Sequence, residues 1–171
     1  MITEIILASA SPRREQLLKQ IGVSFRVVPS EADEANMAVL SPDEYVKRCA
    51  LTKAKVVASR VSPADIVIGA DTVVVLGEIV FGKPSDAADA ARMLRQLSGR
   101  THSVWSGLAV LAQQNRYVTA VETKVTLAEL STHQIERYVA SGEPMDKAGA
   151  YAIQGLGAVF VKRIDGCYYN V

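Results

Sequence analysis

The stretch Ile5-Ile6-Leu7-Ala8-Ser9-Ala10-Ser11-Pro12-Arg13-Arg14 decides how the rest of the chain is read. Its apolar run predicts a short buried strand, and Ser11-Pro12 predicts the start of a helix. Serine is a good N-cap, and proline is tolerated at the first helical position, where its missing N–H costs little. The helix is expected to run through Leu17 and Leu18 to Ile21, with Gly22 as its stop. Two arginines then stand in the first turn, at the end of the helix dipole that is already positive. A helix N-terminus with free amides is a ready anion site. Ser9 and Ser11 add hydroxyls, and Arg13 and Arg14 add forked donors suited to phosphate oxygens. From residue types alone, a phosphate cradle and a capped surface helix with two solvated arginines are equal readings.

Working outward, Phe25 to Val28 reads as a second strand. Ser41-Pro42-Asp43-Glu44 has the form of a capping box, opening a long helix to about Arg60. Its apolar stripe holds Val46, Ala50, Ala54 and Val57, and Lys53 falls inside that stripe. Asp65-Ile66-Val67-Ile68 begins a buried strand that leads to Gly69-Ala70-Asp71-Thr72. Val73 to Leu76 and Ile79 to Phe81 form a hairpin about Gly77-Glu78. Ser85 caps a helix ending near Gly99. Two long strands follow, about Ser103 to Ala112 and Tyr117 to Leu127. Ser131-x-x-Gln134 starts a helix that ends before Gly142, and Ala158 to Ile164 is strand-like. Helices and strands alternate, yet hairpins are present. The expected fold is therefore α/β with a mixed, twisted sheet and flanking helices.

The chain has 171 residues, 49% apolar and 22% charged, the composition of one folded globular domain over residues 1–171. A formal net charge of +1 argues against a bulk grip on nucleic acid. Cys49 and Cys167 stand far apart in no paired motif and read as packed thiols of a reducing compartment. No apolar run approaches a membrane span, and no signal-peptide pattern opens the chain, so a cytoplasmic protein is expected.

Three further positions carry possible chemistry. Lys53 either snorkels to the helix edge or points toward a fixed anion. Asp71 stands where a buried apolar strand is expected to end, the place where open α/β sheets hold ligand groups. It either caps a turn, holds a hard cation or activates water. Glu34, in Glu31-Ala32-Asp33-Glu34, is a candidate second carboxylate beside the solvated-loop alternative. Lys83 follows the hairpin in Phe81-Gly82-Lys83-Pro84. The glycine-rich segment Asp146 to Gly155 suggests backbone held close to a ligand, with Gln154 able to read a base edge by donor and acceptor together. His102 and His133 have no metal-ligand spacing, and no P-loop motif occurs.

As an ordered set, Ser9-x-Ser11-Pro12-Arg13-Arg14, Gly69-Ala70-Asp71-Thr72, Gly82-Lys83-Pro84, Leu97-Ser98-Gly99 and Asp146-Lys147-Ala148-Gly149-Ala150-Tyr151-x-Ile153-Gln154-Gly155 resemble the Maf family of nucleoside triphosphate pyrophosphatases. The match runs from residue 4 to the end. The resemblance implies a mixed α/β fold of two lobes around a cleft, related to inosine triphosphate pyrophosphatase-like folds. It implies hydrolysis of a nucleoside triphosphate to the monophosphate and pyrophosphate with a divalent metal cation, Mg or Mn. Carried onto this chain, Arg13, Arg14, Lys53, Lys83 and Glu34 line the polar cleft, with Lys53, Lys83 and Glu34 among the catalytic groups. Asp71 is the general base or proton acceptor, and Asp71 and Glu34 are the candidate metal ligands, the choice between base and ligand staying open for Asp71. Ser9, Ser11, Arg13, Arg14, Thr72, Lys147 and Gln154 bind substrate, and Arg13, Thr72 and Gln154 tune which base is accepted. Thr72 after Asp71, together with the Asp-Lys-Ala-Gly-Ala-Tyr pattern, is similar to the branch acting on dTTP and UTP. A purine-directed pyrophosphatase and a nucleotide-binding regulator of septum formation are the alternatives. Partners by analogy are the nucleotide and a second copy in a homodimer, with no nucleic acid and no membrane. The family usually continues past Tyr169-Asn170-Val171 into a terminal helix, which is expected to be missing here.

Overall fold

A computed structural model of the chain describes residues 3–32 and 40–171. Glu34 lies outside the described residues. The elements are β1 (Ile5–Leu7), α1 (Pro12–Gln20), β2 (Arg26–Val27), α2 (Pro42–Ala58), β3 (Ile66–Leu76), β4 (Ile79–Phe81), α3 (Ala87–Leu97), β5 (Thr101–Ala112), β6 (Asn115–Leu127), α4 (Thr132–Ala140) and β7 (Val161–Asp165). Short 3-10 turns cover Glu143–Asp146, Ala148–Ala150, Leu156–Phe160 and Tyr168–Asn170. Strand pairing follows the order β2-β1-β3-β5-β6-β7, with β4 on β3. β1 runs parallel to both β2 and β3, whereas β3–β4 and β6–β7 are antiparallel. The mixed sheet expected from the sequence is the one found.

The chain divides into two compact units. The first comprises Met1–Asp71 and Ser106–Val121, and the second Thr72–Trp105 and Glu122–Val171. In the first, Ile6, Ala8, Val67 and Ala109 pack against Ala50, Ala54 and Val57 of α2. These are small side chains, and two glycines bring the helix closer still. A Cβ at Gly69 would lie 2.3 Å from the Ala50 carbonyl oxygen, and one at Gly107 would lie 2.1 Å from that of Val46. The second unit has the larger side chains. Val74, Phe81, Leu94, Leu97, Val125, Leu127, Ile135, Tyr138 and Phe160 form its core.

Local details depart from expectation in five places. The strands expected on either side of Gly69-Ala70-Asp71-Thr72 are one strand, β3, so Asp71 sits inside a strand rather than at its end. Period-two alternation continues through Val67, Gly69, Asp71 and Val73, all buried, and no turn residue interrupts it. Asp65 stays outside the strand, its carboxylate accepting from the backbone N–H of Ser62 and of Glu4. Asp86, not Ser85, is the N-cap of α3, accepting from Asp89 N. Ser41 starts α2 by position but makes no cap; its hydroxyl donates to Glu44 Oε2 at 2.8 Å. Ala158 to Phe160 belong to a 3-10 turn, and β7 begins only at Val161. The capping box at Ser131 and Gln134 forms as read. So does the two-residue hairpin turn, with Gly77 at φ +60°. No helix among the described residues is long and apolar enough to cross a membrane.

Candidate active site

Two clusters of the expected residues come together in the first unit. The first is at the β1–α1 junction. Ser11 is the N-cap of α1 by position, but its side chain makes no capping bond. Its backbone N–H donates instead to Ser9 Oγ at 3.1 Å. Arg14 Nη1 donates to the same oxygen at 3.2 Å. Ser9 is buried, and Arg13 and Arg14 are half-buried at the helix start. The junction thus joins a helix N-terminus, two hydroxyls and two guanidinium groups, the donor set that suits phosphate oxygens.

The second cluster is Lys53 and Asp71. Alternation along β3 puts Val67, Gly69 and Asp71 on one face. On α2, Ala50, Lys53, Ala54 and Val57 share a face at helical spacing. Gly69 lies against Ala50 and Ala54. Two residues further along β3, Asp71 therefore meets Lys53, and Lys53 Nζ is 2.5 Å from Asp71 Oδ1. The side chains are 17% and 10% exposed, so water screens the pair poorly. The lysine inside the apolar stripe points at a fixed anion, and that anion is Asp71.

Other candidates lie in the second unit. Thr72 is half-buried on β3, Lys83 is exposed after β4, and Gln154 is exposed. Gly149 N donates to Gly82 O at 3.0 Å, which ties the Lys83 loop to the loop that follows Lys147. Gly149 has φ +70°, and a Cβ there would lie 3.0 Å from Val74, so this loop passes close over β3. Lys147 pairs with Asp146. No group of three His, Cys, Asp or Glu side chains comes together among the described residues. That donor set does not suit a cation caged wholly by protein. It does suit a hard cation held by one or two carboxylates plus substrate phosphates.

Sequence reasoning missed two pairings in the second unit, one of them buried. His102 Nε2 lies 2.8 Å from the Tyr151 hydroxyl, with the rings edge to face at 5.4 Å. Burial pushes the His102 pKa down to about 4. Glu143 accepts from the Tyr138 hydroxyl and from the backbone N–H of Leu156 and Gly157. Burial alone would raise the Glu143 pKa, but those hydrogen bonds and the charge of Lys147 hold it below the ordinary value. The one sequence signal for Glu143 is the glycine at 155, where a Cβ would lie 2.3 Å from its carboxylate.

Comparison with known proteins agrees with this architecture. A protein named dTTP/UTP pyrophosphatase from Gloeobacter violaceus is 50% identical over 171 residues, covering 100% of this chain and 90% of its own. One of the same name from Pelotomaculum thermopropionicum is 51% identical over 170 residues, 98% of this chain and 88% of its own. Among solved structures, the Staphylococcus aureus Ham1 protein matches with a TM-score of 0.53 at 17% identity, over 74% of this chain and 73% of that one. At that identity it bears on the fold alone. The model of the family described as Maf-like protein matches residues 4–171, and the chain belongs to that family.

Proposed function

We propose that this chain hydrolyses dTTP and UTP to the nucleoside monophosphate and pyrophosphate. The observation that carries the reading is its 50% and 51% identity, along nearly its whole length, to proteins named dTTP/UTP pyrophosphatase. In the reaction, water adds to the α-phosphorus, the bond to the bridging oxygen breaks, and pyrophosphate leaves with that oxygen. Asp71 is the proton acceptor. Lys53 Nζ engages its Oδ1, and Oδ2 orients the attacking water and takes its proton. Ser9, Ser11, Arg13 and Arg14 hold phosphate oxygens, and Lys83 and Lys147 add positive charge to the polyphosphate. Arg13, Thr72 and Gln154 select the base. The amide of Gln154 can accept from the N3–H of a uracil or thymine and donate to a neighbouring carbonyl. Mg²⁺ or Mn²⁺, held by Asp71 with Glu34 and the substrate phosphates, would neutralise charge and acidify a bound water. A cytoplasmic homodimer belongs to the same proposal.

Pyrophosphate release across dTTP, UTP, CTP, GTP, ITP and XTP, with Mg²⁺ or Mn²⁺ present, tests it. The fastest turnover is expected for dTTP and UTP, and chelation by EDTA is expected to abolish it. Fastest turnover of ITP and XTP would instead support the purine-directed alternative. Binding with no release from any nucleotide would support the regulator.

A further inference from the structure

In the second unit, the turn that bears Gln154 is held by two residues, Glu143 and Tyr138, that the proposed reaction does not use. Glu143 follows the left-handed Gly142, φ +76°, at the end of α4. Its Oε2 accepts from Leu156 N at 2.9 Å. Its Oε1 accepts from Gly157 N at 3.1 Å and from the Tyr138 hydroxyl at 2.8 Å. The Tyr138 oxygen in turn accepts from Ala152 N at 3.1 Å. The chain is therefore gripped at residue 152 on one side of Gln154 and at residues 156 and 157 on the other. The tyrosine ring is itself fixed, edge to face with Phe160 at 5.0 Å.

The two glycines complete the arrangement. A Cβ at Gly155 would lie 2.3 Å from Glu143 Oε2, and one at Gly157 would lie 2.8 Å from the Tyr138 hydroxyl. Neither position admits a side chain without displacing the grip. Gln154 itself is exposed, so its own packing does little to fix it.

We propose that Glu143 and Tyr138 are positioning residues for base selection: they clamp the 152–157 turn so that the Gln154 amide is presented in one place to the base edge. The proposal rests on the reading of the chain as a dTTP/UTP pyrophosphatase with Gln154 at the base. Fixing the backbone at residues 152, 156 and 157 fixes the place from which the Gln154 side chain reaches the base, and a displaced turn loses the distance at which its amide pairs with uracil in preference to cytosine.

The test compares UTP with CTP in the full chain for Glu143→Gln, Tyr138→Phe, Gln154→Ala and the double variant Glu143→Gln/Gln154→Ala. In Glu143→Gln one carboxylate oxygen becomes an NH₂ group, which cannot accept from a backbone N–H. Tyr138→Phe keeps the ring and removes only the hydroxyl, so it carries the test if the first variant does not fold. Each single clamp variant is expected to raise KM for UTP about tenfold, to lower the UTP-over-CTP preference in kcat/KM similarly, and to move kcat less than about threefold. On the Gln154→Ala background, Glu143→Gln is expected to add nothing further, because both changes act through one contact. A folded clamp variant with KM and preference within about twofold of the parent, or losses that simply add in the double variant, overturns the clamp. A parent protein that releases no pyrophosphate from UTP or dTTP overturns the functional reading, and the clamp with it.

Discussion

A lysine inside an apolar helix stripe has two ordinary fates, snorkelling to the edge or meeting a buried anion. In this chain the partner decides the matter. Asp71 Oδ1 sits 2.5 Å from Lys53 Nζ, on a strand face otherwise occupied by Val67, Gly69 and Val73. The kinds of residue were readable in the sequence, but their pairing was not, because 18 positions separate them in no shared local pattern. Asp71→Asn keeps the shape and removes both the charge and the proton acceptor. It is expected to lower kcat for dTTP and UTP about a hundredfold or more, with circular dichroism unchanged. Pyrophosphate release at saturating substrate gives the check, and near-parental turnover would remove Asp71 from the mechanism. The same scale explains the two serines that do not cap. Ser11 and Ser41 both sit at helix starts, but the Ser11 side chain makes no capping bond and Ser41 is engaged by Glu44. A capping signature states a capacity, and competing neighbours decide whether it is used.

Among the elements, the packing of α2 on β3 matters most for the site. Lys53 reaches Asp71 because the helix lies close enough for its Ala50 and Ala54 to touch glycine. Gly69→Ala would force a methyl group to within 2.3 Å of a backbone carbonyl oxygen, and backbone cannot swing aside as a side chain does. The variant is expected to lose about 3 kcal/mol of unfolding free energy, at the upper end for overpacking, and to lose activity as Lys53 moves off Asp71. Gly82→Ala is the control. Nothing lies within 4 Å of a Cβ there. Its stability is expected to change by less than about 0.5 kcal/mol. Urea midpoints at constant m-value compare the two, and equal midpoints would mean that α2 is not held this tightly. The helices, the hairpin turn and most strands were legible from periodicity and turn chemistry. The continuity of β3 was not, because Gly69-Ala70-Asp71-Thr72 looks like a strand end when read locally and becomes strand only when both neighbours supply ladder partners.

At the scale of the whole molecule, acid stability depends on a buried histidine. His102 is 2% exposed; Tyr151 engages Nε2, and Nδ1 has no partner among the described residues. With the folded pKa pushed down to about 4 against an ordinary 6.5, the folded protein keeps the ring neutral while the unfolded chain takes up a proton. The unfolded state therefore binds more protons between pH 6.5 and 4. Stability that is fully present above pH 6.5 falls away as the pH drops to 4, by roughly 3 kcal/mol. His102→Phe should flatten the dependence of unfolding free energy on pH in that window, and parallel curves for parent and variant would exclude the histidine as its source. The sequence by itself determined the α/β class, the mixed sheet, the kinds of chemistry available at residues 9–14, 53, 71, 83 and 154, and the family, because these follow from residue type, short-range periodicity and ordered motifs. Only the tertiary structure decided that Lys53 faces Asp71, that β3 runs through the aspartate, and that Glu143 and Tyr138 grip the Gln154 turn. Each of those depends on how closely one element packs on another, and that distance is set by pairs of residues far apart in the chain, where no local pattern records it.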